Sequence, residues 1–137
     1  MKPVYTLFFI LAFGTSALAQ KTYTMTPEQL ISQLRDANPQ YSTHYVATLP
    51  YAHNQKYQGN NIAKVECSDK HGRDTLIDNS PVLEMQIRDS NNKKHFFYFQ
   101  TAVINDSEIV GIKSFYLNMK SRVRINDIMS VKLQYHF

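Results

Sequence analysis

Apolar and polar residues alternate along much of the chain, a pattern typical of β-strands that bury one face. The clearest case runs from Val82 to Arg88, where Leu83, Met85 and Ile87 alternate with polar residues. Clusters of Asp, Asn, Ser and Gly separate such runs and predict turns. Strands are therefore expected near residues 62–68, 82–88, 94–104, 108–117, 122–125 and 130–136. Because the turns are short, these strands should pair antiparallel as a continuous meander.

One segment near the N-terminus has the period of a helix instead. Thr26 is a suitable N-cap, Pro27 suits the first helical position, and Gln29 can complete a capping box with Thr26. The apolar residues that follow at helical spacing are Leu30, Ile31, Leu34 and Ala37. Asn38-Pro39 ends the pattern because the residue before a proline avoids helical backbone angles. The sequence predicts one short helix over about residues 26–37, with an apolar stripe that must pack on the strands.

These elements predict an α+β fold that is mostly β. The C-terminal region has a strand, a short turn at Asn126-Asp127-Ile128 and a final strand, the order in which many small SH3-like barrels close. We expect the helix to pack on a strongly bent antiparallel meander or an SH3-like small barrel, with an ordinary helix-capped sheet as the alternative. The run His95–Phe99 is apolar on both faces and predicts a central strand that is covered on both sides.

Residues 39–61 have the weakest pattern. Residues 41–49 can form a strand, whereas about residues 50–61 predict a loop because Pro50 and Gly59 interrupt them. Aromatic rings among Asn, Gln and His are suited to stacking on sugar rings or peptide faces while hydrogen bonds form at their edges. The candidate binding residues of this kind are Tyr41, Tyr45, Tyr51 and Tyr57.

The N-terminal residues predict an export signal. Lys2 gives a positive start, Val4–Phe13 is an apolar run, and Ala17-Leu18-Ala19 has the small residues of a cleavage site. The apolar run is about ten residues long, and a membrane helix needs roughly 20. We expect a signal peptide at 1–19 and a single β-rich domain at 20–137 without a transmembrane segment, located in a periplasm or secreted.

Composition excludes several other classes of protein. The chain has 137 residues with one Cys, four Gly and no Trp, so neither a collagen period nor an internal disulfide is possible. Its 43% hydrophobic residues are too many for a disordered chain, and its length suits one domain. The 15 basic residues against 11 acidic ones give a formal net charge of +4, which favours anionic partners weakly.

Candidate catalytic groups form no familiar motif. Cys67, Asp69 and His71 resemble a nucleophile set, but residues four apart in a strand lie about 13 Å apart. Cys67 also falls on the predicted core side of its strand, so we expect it to be buried. No histidine spacing typical of metal ligands and no nucleotide-binding glycine motif occurs, so no catalytic, metal or cofactor residue is assigned.

A small secreted hydrolase of the nuclease type is the enzyme alternative. Phosphodiester cleavage needs a base, an acid and a cation that stabilises the charge between them. The side chains that can supply these roles are Glu84, Arg88, Arg122, Arg124 and His136.

The densest basic cluster is a candidate anion-binding patch made of Lys120, Arg122 and Arg124. Lys93-Lys94, on another predicted turn, can add to it if hairpins bring the two together. Predicted export and the lack of a motif that recognises RNA or DNA argue against a nucleic-acid partner. The expected partner is therefore an envelope protein or a glycan.

The leading interpretation is an exported, non-catalytic binding or structural protein of the cell envelope or extracellular space. A third alternative is an outer-membrane-associated β protein, because the alternation that ends in Phe137 resembles, over seven residues, the last strand of outer-membrane barrels. Against it, eight tilted strands would use nearly all of the exported chain and leave no place for the helix.

Overall fold

The computed structural model describes residues 21–37, 42–48, 53–114, 117 and 119–135. The chain forms helix α1 (Pro27–Asp36) and the strands β1 (Thr22–Met25), β2 (Ser42–Thr48), β3 (His53–Gly59), β4 (Lys64–Ser68), β5 (Asp74–Asp78), β6 (Leu83–Asp89), β7 (Lys94–Tyr98), β8 (Val103–Asn105), β9 (Glu108–Ser114), β10 (Met119–Arg124) and β11 (Ile128–Tyr135). Two 3-10 helices, Phe99–Thr101 and Ile125–Asp127, follow β7 and β10. The prediction of an α+β fold that is mostly β, with one helix and antiparallel sheets, is confirmed.

A six-stranded antiparallel sheet in the order β5-β4-β1-β11-β6-β7 forms the largest layer. One line of paired residues crosses four of its strands, from Tyr23 through Leu133 and Met85 to Phe97. Leu133, Met85 and Phe97 are at most 1% exposed. Alternate residues of a strand point to opposite faces, so this line marks the face of the sheet that covers the core.

Helix α1 lies on the core and is fixed at its N-terminus as the sequence predicts. The Thr26 hydroxyl accepts a hydrogen bond from the Gln29 backbone N–H at 3.1 Å, and the Gln29 side chain accepts one from the Thr26 N–H at 3.0 Å. Such a cap contributes about 1 kcal/mol. Leu30 and Leu34 are buried, and the Gln33 side chain bonds both the N–H and the carbonyl of Glu66 in β4.

A second, three-stranded sheet in the order β10-β9-β8 packs beside β7. Gly111 in β9 lies against Phe97, and the first 3-10 helix connects the two sheets. The Thr101 hydroxyl of that helix donates to the Tyr98 carbonyl at 2.7 Å and accepts from the Ile112 N–H at 2.8 Å. The described strands form separate sheets and do not close into one hydrogen-bonded barrel.

Several predicted elements need correction. The loop predicted at 50–61 contains β3, which pairs with β2 in a two-stranded sheet. The predicted strand at 94–104 is divided by the first 3-10 helix, and the meander is not continuous because β11 returns to pair with β1 and β6. The run His95–Phe99 is not central, since β7 ends the larger sheet. Phe97 on its core face is buried and lies against Gly111 of β9, whereas Phe96 and Tyr98 on the other face are half-buried.

Two further strands were not predicted from the sequence. β5 is short and lies between turns, and β1 sits between β4 and β11. The predicted signal peptide at 1–19 lies outside the described residues, as do Tyr41, Tyr51 and His136.

Candidate functional site

The predicted anion patch is a single exposed row on β10, which we call the basic row: Lys120, Arg122 and Arg124. All three are exposed, whereas Val123 between them is 5% exposed and faces the core. Alternate positions of a strand share one face, so the order of basic and apolar residues in the sequence determines this arrangement. β10 is also the end strand of its sheet. The three cations therefore line an edge of the described fold.

The carboxylate of Glu108 lies beside two of these cations. Arg124 stands opposite Glu108 of β9, and Nη1 of Arg122 is 3.6 Å from Oε2 of Glu108. At this distance and with Arg122 well exposed, the ion pair stabilises the fold by at most about 1 kcal/mol. The basic row thus keeps an excess of positive charge toward solvent.

The four candidate tyrosines are not shown to form one surface. Tyr45 is paired with Lys56 and Tyr57 with His44 in the hairpin of β2 and β3. Tyr45 and Tyr57 thus occupy neighbouring rungs of this hairpin. Tyr41 and Tyr51 lie outside the described residues, so a stacking site that includes all four stays a prediction.

Cys67, Asp69 and His71 do not assemble into a nucleophile set. Cys67 is 1% exposed, and burial, aided by the charge of Asp69, raises the pKa of its thiol to about 11. Oδ1 of Asp69 accepts hydrogen bonds from the backbone N–H groups of Arg73 at 3.0 Å and His71 at 2.8 Å. These bonds lower the pKa of Asp69, and the bond from the Arg73 N–H has the largest effect. The expected burial of Cys67 is confirmed, and Asp69 closes a turn.

The same turn occurs again between β6 and β7, a repeat that the sequence analysis missed. Oδ1 of Asp89 accepts from the N–H groups of Asn91 and Lys93, both at 2.9 Å, and Oδ2 contacts Nε2 of His95 at 2.9 Å. The hydrogen bond with His95, then that from Lys93, lowers the pKa of Asp89. The sequence signal for this turn is an Asp followed three residues later by a residue that adopts a positive φ. That residue is Gly72 after Asp69 and Asn92 after Asp89.

Acid should weaken the fold through these two turn aspartates. Their pKa values are lower in the folded chain than the ordinary 3.8, so the stabilisation is complete above that pH and is lost as the pH falls below it. We expect the midpoint of urea unfolding to drop from pH 6 to pH 3. The double variant Asp69→Asn/Asp89→Asn, which keeps one acceptor oxygen for the backbone N–H groups of each turn, should show a smaller drop. Asp36→Asn, at an exposed position, is the control and should behave like the parent.

The hydrolase candidates are spread over the two sheets. Glu84 and Arg88 share the outer face of β6 but are about 13 Å apart along the strand. The residues paired with Glu84 are Gln134 and Tyr98. Arg122 and Arg124 belong to β10 of the other sheet, and His136 lies outside the described residues. The described fold does not bring Glu84, as an acid–base group, close to Arg88, as a charge-stabilising cation.

A small cleft of about 190 Å³ lies between the end of α1, the base of β3 and β8. Its walls include Leu34, Val103 and Ile104, with Arg35 and Asn60 as polar members. Asn60 already uses both amide hydrogens for the carbonyls of Phe99 and Ala102. The cleft therefore offers apolar contact and one guanidinium, which is too little to define a ligand.

Among the described residues, no three His, Cys, Asp or Glu side chains lie close enough together to hold a metal ion. Within the same residues, no helix has the length and apolar character needed to cross a membrane. Comparison of the chain with protein-family models, with curated proteins and with solved structures found no match.

Proposed function

We propose that this chain is an exported, non-catalytic binding protein of the cell envelope or extracellular space, and that the basic row binds an anionic envelope protein or glycan. The observation that supports this is the position of Lys120, Arg122 and Arg124 as three exposed cations on one face of an end strand. Of the three residues that resemble a nucleophile set, Asp69 closes a turn and Cys67 is buried.

The spacing of the basic row suits a regularly charged partner. Side chains two residues apart in a strand lie about 6–7 Å apart, so the three cations extend over about 13 Å. All are in contact with solvent, so binding should be weak for each charge and should fall with added salt. A polyanion that contacts all three cations at once should bind more tightly than a single anion.

We also propose that the two sheets together form a small, SH3-like, partly open barrel. The chain passes from β10 through a 3-10 helix directly into β11, which agrees with the order expected for such a fold. This shape would present β10 at an open edge.

Charge removal at the basic row tests the proposed function. We expect Lys120→Gln/Arg122→Gln/Arg124→Gln to elute from a sulfated-polysaccharide column at a clearly lower salt concentration than the parent. The matched control is Lys70→Gln/Arg73→Gln/Lys132→Gln, which removes three exposed charges elsewhere and leaves the same net charge. The control should elute close to the parent. Equal shifts for both variants would mean that net charge alone governs retention and would overturn the proposal.

A further inference from the structure

The larger sheet ends in a strand whose charge is opposite to that of the basic row. Asp74, Leu76 and Asp78 occupy alternate positions of β5, and all three are exposed. We call these residues the acidic row. Among the described strands, β5 is paired on one side only. Leu76 is 61% exposed. Asp78 forms an ion pair with the Lys64 side chain of β4.

We propose that β5 of one molecule adds as an antiparallel strand to β10 of a second copy of this chain. The inference rests on the proposed function, since it names a partner for the same basic row. An end strand carries unpaired backbone N–H and carbonyl groups that a further strand can satisfy. The matching charges on β5 and β10 make a second copy the partner that agrees best with the structure.

One register of β5 and β10 places the acidic row opposite the basic row along the full length of both. Antiparallel pairing of Asp74 with Arg124 and of Asp78 with Lys120 places two pairs of opposite charge at the ends. Leu76 then stands opposite Arg122, whose aliphatic stem can cover the exposed leucine. Because the acidic row and the basic row both lie on outer faces, the joined strands would present them on one common face.

The contact is heterologous, because different strands meet. Each molecule keeps one free β5 and one free β10 after pairing, so assembly continues head to tail or closes as a ring. A contact of five residues on each side is far smaller than a stable interface of about 1,200–2,000 Å². Association should therefore be weak, dependent on concentration and sensitive to salt.

Charge reversal with mixing tests the pairing by sedimentation equilibrium at low salt. We expect the parent to show an average mass that rises with concentration up to a few hundred micromolar, and Asp74→Arg/Asp78→Arg and Lys120→Glu/Arg124→Glu each to stay monomeric. In the first variant β5 and β10 are both basic, and in the second both are acidic. Each variant should therefore repel copies of itself and attract the other variant, so a 1:1 mixture should assemble again. A monomeric parent, or a mixture that stays monomeric, would overturn the proposal.

Cysteine pairing tests the register. Leu76→Cys mixed with Arg122→Cys under oxidised glutathione should form a disulfide-linked dimer, whereas Leu76→Cys with Ser121→Cys should give much less because position 121 belongs to the other face. The native Cys67 is buried and should not contribute. Equal cross-linking at positions 121 and 122 would mean random collision and would contradict the register.

The two proposals can fail separately. Asp74→Arg/Asp78→Arg leaves the basic row unchanged, so it should lose self-association and still elute from the polysaccharide column at a salt concentration no lower than that of the parent. If the parent self-associates but does not bind the column, the partner of the basic row is the second copy. The proposal of an anionic envelope partner is then wrong. If it binds the column and stays monomeric, the strand-pairing proposal is wrong.

Discussion

Gly111→Ala should lower the free energy of unfolding by about 2–3 kcal/mol, although it adds only one methyl group. A Cβ at this position would lie 2.8 Å from Cδ1 of Phe97, 3.1 Å from Oγ1 of Thr101 and 3.4 Å from the Cα of Ala102. Thr101 cannot move away easily, because its hydroxyl bonds both Tyr98 and Ile112. The two sheets would therefore have to separate where Gly111 lies against Phe97. Urea unfolding followed by circular dichroism measures the loss.

Two controls separate the steric cause of this loss from a backbone cause. Gly72→Ala has open space around the new Cβ but a φ of +76°, so it should cost only about 1 kcal/mol through the backbone. Phe97→Leu combined with Gly111→Ala should be less destabilising than the sum of the two single changes, since the smaller side chain makes room. A loss at Gly111 no larger than that at Gly72 would contradict close packing between the sheets.

Asn60→Ala should lower the free energy of unfolding by about 3 kcal/mol. Asn60 is 6% exposed, and its amide donates to the carbonyls of Phe99 at 2.7 Å and Ala102 at 2.9 Å. Its side-chain oxygen accepts from the Asn79 amide at 2.8 Å. The alanine would remove these three hydrogen bonds. The Phe99 carbonyl keeps the Ala102 N–H and the Asn79 amide keeps the Ile62 carbonyl, whereas the Ala102 carbonyl loses the Asn60 donor, and a buried group left unsatisfied costs about 1–3 kcal/mol.

An isosteric variant makes this prediction sharper. Asn60→Asp has the same shape but offers no donor to the two carbonyls, so it should be at least as destabilising as Asn60→Ala at neutral pH. Asn126→Ala, at an exposed position of the second 3-10 helix, should change the stability by less than about 0.5 kcal/mol. If Asn60→Asp were as stable as the parent, the two hydrogen bonds would not anchor the first 3-10 helix.

Local features of the fold could be predicted from the sequence. The helix cap at Thr26 involves residues three apart, so the pattern Thr26-Pro27-Glu28-Gln29 determines it without the rest of the chain. The antiparallel pairing of the predicted strands 82–88 and 94–104 and the burial of Cys67 follow in the same way from turn residues and strand alternation. The basic row was also predictable, because Val123 and the cations alternate.

Long-range features could not be predicted. The position of β1 between β4 and β11 depends on partners distant in sequence, and the strand has only four residues. β3 is almost entirely polar, so no apolar alternation indicated it. Asn60 follows a glycine and resembles a turn residue; its buried role appears only when the first 3-10 helix is placed beside it. The opposite charges of β5 and β10 become meaningful once both strands are known to end their sheets.

The placement of β1 beside β11 has a consequence for the order of folding. Thr22 pairs with Gln134, so the middle of the larger sheet joins segments from the two ends of the described chain. Closing such a long loop is entropically costly and slow, and the helix that follows β1 has no completed surface to cover until β11 is present. The six-stranded sheet is therefore complete only once β11 is available to join β1 to β6.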